Sequence, residues 1–149
     1  MHFEGSEAIR APVDAVWAFF MDAPSVAGCA PGFQKMEVLS PEHYKPTVAV
    51  GVGPVKATFT LDVTLTDLRP PHHATMRGHG IAAGSGVDLE SQLDLAATGE
   101  SSTSLAWTMD AVVSGAIASM GARLLENTAQ KVTARFFECV REKLGTAPR

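Results

Sequence analysis

Between residues 55 and 65 hydrophobic and polar side chains alternate without a break. Val55, Ala57, Phe59, Leu61, Val63 and Leu65 fall on one phase, and Lys56, Thr58, Thr60, Asp62 and Thr64 on the other. Period two is the repeat of an extended backbone whose successive side chains leave opposite faces, so this segment predicts a long strand with one dry and one wet face. The same phase returns in Val87, Leu89, Leu93 and Leu95 against Asp88, Glu90, Gln92 and Asp94, and again in Leu105, Trp107, Met109, Ala111 and Val113. Residues suited to tight reversals separate these runs: Gly51-Val52-Gly53-Pro54, Arg69-Pro70-Pro71, Ala83-Gly84-Ser85-Gly86 and Ala97-Thr98-Gly99-Glu100-Ser101. Weaker strands fit residues 2–9, 33–39, 43–50 and 73–79, which makes about seven strands joined mainly as hairpins and hence an antiparallel sheet.

Two helical stretches interrupt this pattern. Pro12, a favoured first-turn residue, opens Val13-Asp14-Ala15-Val16-Trp17-Ala18-Phe19-Phe20, and residues 22–28 start a second short helix. The longer stretch spans residues 115–144, about 45 Å if helical throughout. Along it Ile117, Met120, Leu124, Thr128, Val132, Phe136, Val140 and Leu144 form a slowly drifting apolar stripe, and Gly145 with Pro148 ends it. A one-layer sheet must cover its apolar face, and only this helix is large enough, so the expected class is α+β: a curved antiparallel sheet wrapped on a long C-terminal helix, residues 1–149 forming one domain. The run Gly115-Ala116-Ile117-Ala118-Ser119-Met120-Gly121-Ala122 is short of bulk, which leaves either close backbone approach or space. Met21, Met76, Met109 and Met120 suit a compliant apolar cavity in that space.

Composition narrows the function. The chain of 149 residues is 46% hydrophobic and 19% charged, with a formal net charge of −4 and no clustered Lys and Arg, so nucleic acid is not an expected partner. The acidic start lacks the basic and apolar stretches of a secretory signal, and no window approaches the roughly 20 apolar residues of a membrane span. Cys29 and Cys139 are too few and too far apart in sequence for a disulfide framework or a zinc site. Two buried reduced thiols and a cytoplasmic location are the expectation.

Five local patterns occur in order: Phe3-Glu4-Gly5; Pro12 with Val16-Trp17-Ala18-Phe19; Asp22 with Val26-Ala27 leading to Cys29-Ala30-Pro31-Gly32; residues 52–59 from Val52-Gly53-Pro54 to Phe59; and residues 115–125 with Phe136-Phe137. Together they span almost the whole chain and resemble the carbon monoxide dehydrogenase CoxG family of the START-like (SRPBCC) superfamily. The resemblance implies a helix-grip fold with a hydrophobic tunnel between helix and sheet. It also implies a role beside molybdenum-containing carbon monoxide dehydrogenase or a related hydroxylase, aiding recruitment to the inner face of the cell membrane by handling a lipid or quinone. Some family members carry a C-terminal hydrophobic anchor; this chain stops at Arg149, so peripheral contact is expected.

On this reading the inward residues Phe59, Leu61, Leu93, Trp107, Met109, Met120 and Leu124 bind the apolar ligand, and Trp17, Phe19 and Phe20 supply an aromatic docking surface for a membrane or partner. No catalytic residue, cofactor or metal is expected: His73 and His79 share a strand face but lie about 20 Å apart, and His72 points away from both. The alternative is a polyketide cyclase or dehydratase acting on an apolar ketone, with Glu7, on the inward phase of Phe3, Gly5 and Ile9, as its acid–base group.

Overall fold

The computed structural model describes residues 1–144; Gly145 and Pro148, expected to end the long helix, lie outside them. Strand β1 (His2–Ile9) is followed by α1 (Val13–Met21) and α2 (Ala23–Gly28). Six strands come next: β2 (Phe33–Ser40), β3 (His43–Val52), β4 (Val55–Arg69), β5 (His73–Ala82), β6 (Ser85–Gly99) and β7 (Ser102–Gly115). A short 3₁₀ turn (Ala116–Met120) leads to α3 (Ala122–Leu144). The strands form one curved antiparallel sheet in the order β1-β7-β6-β5-β4-β3-β2, so every neighbour is a hairpin partner except β1, which closes against β7. β4 and β6 each run 15 residues, longer than the clean alternation suggests, because hairpin pairing carries the strands up to the turns.

The helix departs from expectation at its start. Residues 115–121 are not α-helical: Gly115 has φ 79° and Gly121 φ 98°, and the backbone N–H of Ala116 donates to Gly84 O at 2.7 Å. The N–H of Ile117 donates to Ser85 Oγ at 2.9 Å, so the β5–β6 hairpin captures the segment that follows β7. α3 therefore has 23 residues and a length of about 35 Å.

Two main cores flank the sheet's inner face. One gathers Ile9, Val16, Phe19, Leu95, Leu105, Phe137 and Val140 where α1 and the second half of α3 meet the ends of β1, β6 and β7. The other gathers Val48, Val52, Phe59, Ala82 and Ile117 at the opposite end. A smaller cluster of Ala23, Tyr44 and Val63 lies under α2. Cys29 and Cys139 are joined in a disulfide, with Cα atoms 5.4 Å apart, which corrects the expectation of two reduced thiols. The fold closes a separation of 110 residues that the sequence could not foresee, and the cytoplasmic expectation loses the support it drew from free thiols.

Candidate functional site

Between α3 and the sheet lies a cavity of about 310 Å³. Its floor is two adjacent cross-strand rows of inward side chains. Register places Leu65, Met76, Ser91 and Met109 opposite one another in the first row, and Ala74, Leu93 and Trp107 in the second, which ends on Gly5. Phe20 and Met21 of α1, Val26 and Ala27 of α2, and Ala30 and Pro31 beyond it form one wall; Val132, Thr133, Phe136 and Phe137 of α3 form the other, and Tyr44 of β3 closes the side.

The cavity exists because bulk is missing from the second row. Ala74 presents a methyl group beside Leu93, and Gly5 gives the Trp107 indole room to lie on the β1 backbone, where a Cβ would come within 2.9 Å of the ring. The aromatic rings brace one another around the space: Trp107 and Phe137 are 5.7 Å apart, Phe136 and Phe137 5.1 Å edge-to-face, and Phe20 and Phe136 6.3 Å. Among the described residues, no Asp, Glu, His, Lys or Arg lines the cavity. Pro31 and Val132 also line an outer groove that holds Asn127, Thr128, Lys131 and Arg135.

Of the seven residues expected in the site, Leu93, Trp107 and Met109 line this cavity. Phe59, Leu61, Met120 and Leu124 do not; they pack in the second core, with Leu124 also at the outer groove. All face inward as their phase requires, but Leu61 stands about 13 Å from Leu65 along β4, and Leu124 about 12 Å from Val132 along α3. Sharing a face is not sharing a site. Ile117 and Met120 of the low-bulk segment 115–122 also pack in that second core. Met21, Met76 and Met109 line the cavity, and Met120 packs away from it.

The residues expected as an aromatic docking surface, Trp17, Phe19 and Phe20, all lie on α1. Phe19 is buried in the first core, Trp17 packs half-buried against it, and Phe20 turns into the cavity, 5.5 Å from Phe19 and edge-to-face. Asp14 and Ala18 take the exposed positions of α1. Glu7 holds the inward phase of β1 but forms an ion pair with Arg141 of α3 and is absent from the cavity lining.

Sequence reasoning missed Tyr44, Ala74, Phe136 and Phe137 as lining residues. The adjacent phenylalanines were visible, but no local signal says that both rings of such a pair turn toward one space.

Known structures share this architecture. A conserved protein from Geobacillus kaustophilus is 26% identical, with a TM-score of 0.89, covering 96% of this chain and 94% of that one. The Zhui aromatase/cyclase from Streptomyces sp. R1128 is 20% identical, with a TM-score of 0.73 over 96% of this chain and 92% of that one. A START superfamily protein from Mycobacterium smegmatis is 10% identical, with a TM-score of 0.73 over 96% of both chains. No curated protein sequence matches this chain. The family model for carbon monoxide dehydrogenase CoxG matches residues 5–145, and with an apolar cavity held between a START-like sheet and its terminal helix, the chain belongs to the CoxG family.

Proposed function

We propose that this protein is a non-catalytic carrier of a lipid or quinone. It serves a molybdenum-containing carbon monoxide dehydrogenase or a related hydroxylase and aids the enzyme's recruitment to the membrane. The carrying observation is the cavity itself: about 310 Å³, within the range of small-molecule sites, walled mainly by aliphatic, aromatic and thioether side chains and without a charged group among the described residues. Such walls reward burial of apolar surface by about 25 cal/mol per Å² and select by shape. In this reading the membrane step is peripheral; no helix among the described residues is long and apolar enough to cross a bilayer.

A cyclase acting on an apolar ketone would need an acid–base group beside its substrate. Glu7, the inward carboxylate of β1, is held by Arg141 instead. Carriage therefore accounts for the site with fewer demands than catalysis.

Native mass spectrometry after incubation with short-chain quinones and phospholipids tests the proposal. The wild-type chain is expected to retain one molecule. Leu93→Trp, which places an indole in the cavity, is expected to lose at least about tenfold in affinity while keeping the wild-type circular dichroism spectrum. Retention of none of these compounds by the wild type sinks the carrier reading.

A further inference from the structure

The polar side chains on the cavity wall are few: Ser91, Trp107, Tyr44 and Thr133. Ser91 Oγ donates to Thr108 O at 2.7 Å. Trp107 Nε1 is sealed against Gly5 and has no acceptor among the described residues. Tyr44 differs from both. The residue is 6% exposed and lines the cavity, and its hydroxyl makes no hydrogen bond to a described residue, yet it is not closed off as the indole N–H is.

We propose that Tyr44 is the polar anchor of the site, its hydroxyl donating a hydrogen bond to a carbonyl oxygen of a neutral, largely apolar ligand. This rests on the carrier reading above and names the ligand class within it. Among the described residues the lining offers no cation to hold an anion and no carboxylate to hold an amine, so a ligand that engages the phenol brings a neutral acceptor. Burial raises the pKa of Tyr44, which keeps the phenol protonated and able to donate at neutral pH. A ligand oxygen beside the hydroxyl takes the place of the water that an open cavity admits. Thr133 of α3 also lines the cavity.

The test compares two probes of the same fused-ring skeleton, a methylnaphthoquinone and methylnaphthalene, by titration calorimetry on wild type and Tyr44→Phe. Wild type is expected to bind the quinone more tightly. Tyr44→Phe is expected to weaken quinone binding about three- to tenfold, the size of one net hydrogen bond, and to leave methylnaphthalene within about twofold. The melting temperature of unliganded Tyr44→Phe is expected to equal or exceed that of wild type, because the lost hydroxyl has no protein partner; a lower one would mean the phenol serves the fold, and overturns the proposal. Unchanged quinone affinity in Tyr44→Phe also overturns it and leaves the carrier reading standing. Failure of the wild type to bind either probe counts against both.

Discussion

On the outer face of the sheet, histidines sit against carboxylates. His2 Nδ1 lies 2.7 Å from Asp110 Oδ1 and His2 Nε2 2.9 Å from Glu4 Oε1; His43, His73 and His79 approach Asp62, Asp94 and Asp88 at 2.7, 2.7 and 2.6 Å. His2, His73 and His79 pair directly across the ladder with those aspartates, so alternation decided that they face outward, and register decided which acid each meets. The hydrogen bond to Asp110, followed by that to Glu4, raises the His2 pKa above its ordinary 6.5. A raised pKa means the folded chain holds the proton more tightly than the unfolded one. This contribution to stability is full below the unfolded pKa and fades as pH rises through the folded one. Proton-resolved NMR titration is expected to place the His2 midpoint above 6.5, and Asp110→Asn to bring it down. An unchanged midpoint in that variant would assign the shift to another group.

Among the elements, the junction of β7 and α3 shows how a local signal can mislead. Small residues from 115 to 122 suit a helix, but Gly115 at φ 79° lies so close to the Gly84 carbonyl that a Cβ there would collide with backbone. Gly121 also has a positive φ, with nothing within 4 Å of where its Cβ would stand. Gly115→Ala is therefore expected to destabilise the chain by about 1–3 kcal/mol, and Gly121→Ala by less, since the second change strains φ without a collision. Urea denaturation of both variants checks the order; equal losses would show that φ strain alone sets the cost. The strands misled less. Each begins within a few residues of where alternation places it, because a half-buried strand writes its two faces directly into neighbouring positions.

At the scale of the whole molecule, the Cys29–Cys139 disulfide ties the end of α2 to α3 across 110 residues of chain. Both cysteines lie beside cavity walls, near Ala27 and Ala30 on one side and Phe136 and Phe137 on the other, so the bond holds the two walls together. Cross-linking so long a loop restricts the unfolded chain, and reduction is expected to lower the unfolding free energy by about 2–5 kcal/mol. Denaturant titrations with and without dithiothreitol measure this, and coincident midpoints would show that the bond adds nothing. The sequence by itself determined that the fold is a sheet covered by a terminal helix, and which face of each strand is dry, because alternation and helical periodicity are properties of neighbouring residues. Only the tertiary structure decided that the two cysteines meet, that Glu7 finds Arg141, and that the dry face stays open over Ala74, Leu93 and Trp107 rather than over Phe59 and Leu61. Those outcomes depend on register and on the path of α3, which bring together side chains up to 134 residues apart and leave no trace in the local pattern.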